Sequence, residues 1–259
     1  MSSSDLVASV INAHGGLPAY QSLNSISFTF SFTGATLGMK GRPQHVTPTA
    51  TTFVQEQKTI YRGLGGSSDE EWIFTPSKVW KQRVSDGSII EERDNPRAAF
   101  EDHTLETPWD DLHFLYFCGY AMYQYFHWPF LLAREDITTT ELEPHTEGSL
   151  KWRVLEVSYP EYSTLATHAR KQKYYVDSQS FLLRRHDYAP EVLAGANAAH
   201  FSYDPVKVGE FTWPSLRHIV AIGEIGPMMF GPIPTLIHLV MLKMAVQGKD
   251  GKQEVWSLD

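Results

Sequence analysis

The stretch Ile26-Ser27-Phe28-Thr29-Phe30-Ser31-Phe32-Thr33 alternates apolar and hydroxyl side chains without a break. Successive residues of an extended chain point to opposite faces, so this period of two gathers the large apolar groups on one side and the small polar ones on the other. A half-buried strand matches that order. Upstream, Ser2-x-x-Asp5 resembles a capping box, Leu6, Val7, Val10 and Ile11 mark one helical stripe, and Gly15-Gly16 supplies a left-handed stop. A short N-terminal helix therefore precedes the strand. Downstream, strands are predicted over 49–62, 70–75, 78–84 and 88–93, with Asp86-Gly87 as the turn between the last two. This half of the chain reads as an antiparallel meander.

The strand pattern breaks at Asn95-Pro96, where Pro96 suits the first turn of a short helix through Asp102. A long helix is expected over 109–127, ended by Pro129. A second run of strands follows over 137–143, 150–157, 167–176, 181–188, 198–203 and 216–222. Residues 235–246 fit strand and helix equally well. No repeat, low-complexity tract or long linker divides the chain, so a single domain is expected over 1–259. Many strands with one long helix in mid-order imply a mainly β (α+β) fold: a strongly curved antiparallel half-barrel wrapped around a central helix.

Ala13-His14-Gly15-Gly16-Leu17 ahead of the Phe28/Phe30/Phe32 strand, and the later Tyr174-Tyr175-Val176-Asp177 and Leu182-Leu183-Arg184-Arg185 hairpin, resemble the LolA-like superfamily of bacterial lipoprotein carriers. The resemblance implies an open β half-barrel holding helices in its mouth and an apolar ligand. The segment from Trp109-Asp110-Asp111-Leu112-His113 to Gly119-Tyr120-Ala121 is similar to a soluble branch sharing that fold without an export signal.

Composition narrows the partners. With 22 Lys+Arg against 30 Asp+Glu, the net charge of −8 is spread along the chain without a basic block, so a nucleic-acid backbone would be repelled. The apolar stretch 219–246 contains Glu224, Pro227, Pro232, Pro234, His238 and Lys243, which argues against an integral membrane segment. The lone Cys118 allows no internal disulfide, and the start Met-Ser-Ser-Ser-Asp lacks a basic and then apolar leader, so a cytoplasmic location is expected. The oligomeric state is left open.

On a helical wheel at about 100° per residue, Trp109, His113, Tyr116, Tyr120, Tyr123 and His127 fall on one face. The other side carries Phe114, Leu115, Cys118, Met122 and Phe126, leaving only Asp110, Asp111 and Gln124 for solvent. Buried O–H and N–H groups need partners, from sheet backbone, a protein partner or a ligand's polar atoms. His113 and His127 sit too far apart on one helix to share a metal, and Asp110 and Asp111 suit the helix dipole, so no metal site is expected. A loop centred near residue 193 would set His186 opposite His200, with Tyr188 and Arg184 on the face of His186, either outside or as a cavity wall. Gly63-Leu64-Gly65-Gly66-Ser67-Ser68 lies between strands and is a loop rather than a phosphate cradle, Cys118 packs, and no cofactor is expected. The turn-rich run with Met228, Met229, Phe230, Pro232 and Pro234 is either a buried loop or a cap on one end of the cavity.

Two functions fit. The first is a cofactor-independent enzyme of secondary metabolism, a cyclase or isomerase acting on an apolar small molecule, with His113, Tyr116, Tyr120, Tyr123 and His127 catalytic. Trp109, His186, Tyr188 and His200 would then bind the substrate. The second is an intracellular carrier of a lipid, isoprenoid or fatty acyl ligand, without chemistry. Both require the helix to aim its rings into an enclosed cavity.

Overall fold

Helices α1 (Ser3–Ala13) and α2 (Leu17–Ser22) lead into strand β1 (Leu23–Thr33), where Ile26, Phe28, Phe30 and Phe32 are buried and the intervening hydroxyls stay partly exposed. The structure, a computed structural model, describes residues 3–224, 226–229 and 236–258. After α3 (Ala35–Met39) come β2 (His45–Val46), β3 (Thr49–Phe53), β4 (Thr59–Arg62), β5 (Glu70–Phe74), β6 (Lys78–Arg83) and β7 (Ile89–Asp94). From β3 to β7 each strand pairs antiparallel with the next. The long helix α4 (Asp111–His127) follows, then β8 (Thr138–Glu147), β9 (Leu150–Ser158), β10 (Lys171–Asp177), β11 (Leu183–Tyr188), β12 (Ala198–Val208) and β13 (Phe211–Gly223). Strands β14 (Gly226–Pro227), β15 (Ile237–Gly248) and β16 (Gln253–Ser257) complete the chain.

All join one continuous sheet, in the order β7-β6-β5-β4-β3-β1-β15-β13-β12-β11-β10-β9-β8. Its two edges are the strands that flank α4 in the sequence. The connection between them must therefore cross a face of the sheet, and the 17 residues of α4 span about 25 Å of that crossing. Strand twist curls so wide a sheet around the helix.

Local chemistry seats α4. Asp110 caps it by accepting from the His113 amide at 2.8 Å, and Asp111 pairs with Arg42 (2.6 Å) and Lys81 (2.7 Å). Midway, a Cβ on Gly119 would stand 2.1 Å from Phe74 Cγ, so only glycine lets the helix lie this close to β5. Helix carbonyls are taken by both halves of the sheet: Tyr61 Oη donates to Cys118 O (2.7 Å), Thr59 Oγ1 to Gly119 O (3.1 Å) and Trp213 Nε1 to Phe126 O (3.0 Å). Phe28 stacks on Phe126 with centroids 3.7 Å apart, which joins the deciding strand to the helix.

The half-barrel around a central helix is as expected, with local corrections. The helix begins at Asp111, because Asp110 is extended as its cap, and Trp109 lies before it rather than on it. The expected strand 49–62 is two strands with a turn between them, and the helix expected from Pro96 is a short 3-10 turn, Ala98–Phe100. Residues 237–246 are strand, where β1 and β13 supply hydrogen-bonding neighbours on both sides. Helices α2 and α3 and strand β16 carry no strong periodic signal and were not anticipated. Among the described residues no helix is long and apolar enough to cross a membrane.

Candidate functional site

The six ring-bearing residues expected to share one face do not share one environment. At the start of α4, His113 places Nε2 3.0 Å from Ala99 O and Nδ1 2.8 Å from Asp110 Oδ1, while Trp109 packs edge-on to Phe100 beneath Lys40. In the middle, Tyr116 leans on Phe74 and Tyr120 on His168, and the Tyr120 oxygen has no hydrogen-bond partner. Arg97 acts on both phenols through its charge and pairs with Glu191 at 2.8 Å. At the far end, Tyr123 stacks on His127, whose Nδ1 meets Tyr20 Oη and whose Nε2 is unpartnered. Burial holds the His127 pKa down at about 3.

These rings pack among core side chains. A cavity beside Phe30, Met122, Phe126, Arg217 and Leu239, away from the ring face, has room of about 10 Å³ for water centres, about one molecule. Core side chains from β1, β5 and β15 surround α4. Gln124, expected at the solvent side, is buried.

The polar groups converge elsewhere, between α4 and strands β10 to β13. His186 pairs with His200 across β11 and β12, as the loop-centre argument predicts, and both lie with Tyr188 on the inner wall. Facing them are residues that sequence reasoning passed over: Gln124 and Tyr125 of α4, His168 ahead of β10, Gln172 and Tyr174 of β10, and Arg217 of β13. Arg217 follows from alternation with Trp213 and Ile219, which also point inward; His168 sits in a loop and gives no periodic signal. All of these side chains are buried.

Hydrogen-bond directions follow from Arg217, which can only donate. Its Nη2 donates to Tyr125 O at 3.0 Å, and its Nη1 to His200 Nε2 at 3.3 Å. His200 must then carry its proton on Nδ1, which reaches Tyr188 Oη through a long 3.5 Å contact. Tyr188 Oη lies 2.8 Å from Tyr125 Oη, and Tyr125 Oη lies 2.7 Å from His168 Nε2. The relay links a cation to His168, whose Nδ1 has no partner. A second arm links His186 Nε2 to Gln172 Oε1 (2.5 Å), Gln172 to Gln124, and Gln124 to Tyr174 Oη (2.7 Å). Burial, reinforced by Arg217, keeps the pKa of His186 and His200 well below the ordinary histidine value, and burial does the same at His168. Burial also lowers Arg217, to about 10, which leaves it charged at neutral pH.

On the other face of the sheet, Leu150, Trp152, Phe201, Tyr203 and Met229 line an open recess of about 340 Å³. Met229 packs against this outer cluster, so it does not cap the inner side; Phe230, Pro232 and Pro234 lie outside the described residues. No group of residues with metal-binding geometry occurs among the described residues.

A single curved antiparallel sheet with its edge-to-edge helix lying in the concave face defines a LolA-like β half-barrel. Solved structures of that class align along nearly the whole chain. A LolA superfamily protein from Nitrosomonas europaea superposes with a TM-score of 0.52 at 8% identity, covering 94% of this chain and 93% of that one. An outer membrane lipoprotein-sorting protein domain from Vibrio parahaemolyticus gives 0.53 at 8%, covering 94% and 91%. A DUF1329 family protein from Desulfovibrio piger gives 0.50 at 6%, covering 94% and 92%. No family model matches the chain, and no curated protein matches it in sequence.

Proposed function

We propose that the protein binds and carries an apolar molecule bearing a polar head, held between α4 and the concave face of the half-barrel. One observation carries this reading: unpartnered buried polar atoms gather along this interface, at Tyr120 Oη, Gln124 Oε1, His168 Nδ1 and Arg217 Nε. A buried polar atom left unpaired costs about 1–3 kcal/mol, so several in one place mark a surface prepared for polar atoms from outside the chain. The lipoprotein-sorting role named for the Vibrio parahaemolyticus domain supports a carrier over an enzyme. Entry requires α4 to shift off β1 and β15, since the interior is closed as it stands. Native mass spectrometry after non-denaturing purification tests this. An adduct removed by organic solvent is the expected result. A bare chain that also fails to bind hexadecanol in a calorimetric titration would overturn it.

A second reading, the cofactor-independent cyclase or isomerase, is favoured by the relay itself. Imidazoles and phenols hydrogen-bonded in series offer a path along which a proton can pass, and a developing oxyanion would find donors at His168 and Tyr120. Its catalytic residues become Tyr120, Tyr125 and His168 rather than His113, Tyr123 or His127, which face other surroundings. Conversion of a captured ligand on incubation, abolished in H168F, would select this reading. The cytoplasmic location belongs to the same proposal and is supported by a single cysteine, buried and unpaired. Cell fractionation checks it.

A further inference from the structure

Arg217 is a fully buried cation with no carboxylate in ion-pair reach among the described residues. The groups facing it are His200 and, behind it, His186 and His168, with the phenols of Tyr125 and Tyr188; its guanidinium lies 5.2 Å from the Tyr125 ring centroid. Each is neutral or, if protonated, positive. A charge withdrawn from water needs an opposite charge close by, and removing such a partner from a buried pair is among the costliest changes a core undergoes. Hydrogen bonds to a carbonyl and an imidazole satisfy donors but do not neutralise. The second arm adds no anion, since Gln124, Gln172 and Tyr174 are all neutral groups.

Hydrogen bonding points the same way. Arg217 only donates, and its Nε–H has no partner. An unneutralised cation with an unpaired donor is complementary to a group that only accepts. We infer that the polar head of the bound molecule is an anion, a carboxylate by preference, seated against Arg217. This deepens the carrier reading and rests on it. The same chemistry is offered by the acid end of a long aliphatic chain and by a small free carboxylate, and the apolar side chains of Phe30, Met122 and Leu239 beside Arg217 favour the long-chain acid.

The test uses the full-length protein, extracted to remove bound lipid, titrated calorimetrically with palmitate, hexadecanol and acetate. Wild-type protein is expected to bind palmitate at least about tenfold more tightly than hexadecanol, the ratio that a charge-assisted hydrogen bond supplies. In R217M that ratio should fall to near one, because palmitate loses the charge opposite its carboxylate. Equal affinity of wild type for palmitate and hexadecanol overturns the acidic head while leaving the carrier reading intact. Failure of both long-chain probes overturns the carrier reading and the acidic head with it. Acetate binding as tightly as palmitate overturns the long-chain acid and leaves a site for a small free anion. Should R217M not fold, the wild-type ratio still decides.

Discussion

At the scale of single residues, identical side chains on one helix have opposite consequences. Tyr125 Oη sits between Tyr188 and His168, so Tyr125→Phe leaves two buried groups short of a partner and should cost about 1–3 kcal/mol. Tyr120 Oη bonds to nothing, and Tyr120→Phe should be neutral or slightly stabilising. Urea denaturation of the two variants checks the contrast; equal losses would mean that Tyr120 has a partner in solution. Gly119→Ala drives a Cβ into Phe74 and should lose about 1–3 kcal/mol through overpacking, although alanine is the better helix former. Residue type alone shows none of this, since a tyrosine is the same letter whether its oxygen is paired or orphaned.

Among the elements, α4 is the one on which both halves of the sheet close. Tyr61 and Thr59 hold its carbonyls from one half, and Trp213 and Arg217 hold them from the other. Its amides should rank with β1 and β15 as the slowest to exchange, and Tyr61→Phe should cost about 1 kcal/mol by freeing Cys118 O. Hydrogen exchange by mass spectrometry checks the ranking; fast exchange over 112–126 would show a helix only loosely seated. The existence and extent of α4 were legible because apolar residues and a terminal proline bracket it. Its contacts were not, because a wheel assigns directions but not what stands opposite. Tyr125 and Gln124 fell outside the favoured face and still meet the inner wall.

For the whole molecule, buried histidines set a pH dependence. His14 is held at about 4 and His127 at about 3, both first of all by burial, and His168, His186 and His200 are held low for the same reason. Unfolded, these groups bind protons below about pH 6.5, while the folded chain does not. Stability is thus fully present above that pH and lost as pH falls from there toward 4, at about 1.4 kcal/mol per pH unit for each histidine involved. Urea midpoints at pH 7.5 and 5.5 should differ strongly. Matching midpoints would mean that the imidazoles are charged within the fold. Bound palmitate should raise the thermal midpoint at pH 7.5 in wild type and raise it less in R217M, as mass action on a folded-state ligand requires.

What the amino-acid order determined alone is whatever depends on neighbours along the chain: the period of two in β1, a long helix ending before Pro129, the Asp86-Gly87 turn, and the His186–His200 pairing set by a loop centre. Three-dimensional packing decided which polar groups meet. Arg217 lies 92 residues from the Tyr125 carbonyl that it holds, and Gln57 lies 109 from the Ala166 carbonyl that it holds. Such encounters depend on how the sheet curls and how deeply α4 settles into it, and local periodicity carries no information on either. The physical reason is that extended and helical geometry are properties of short segments, whereas burial of a charge without its counterpart belongs to the assembled interior.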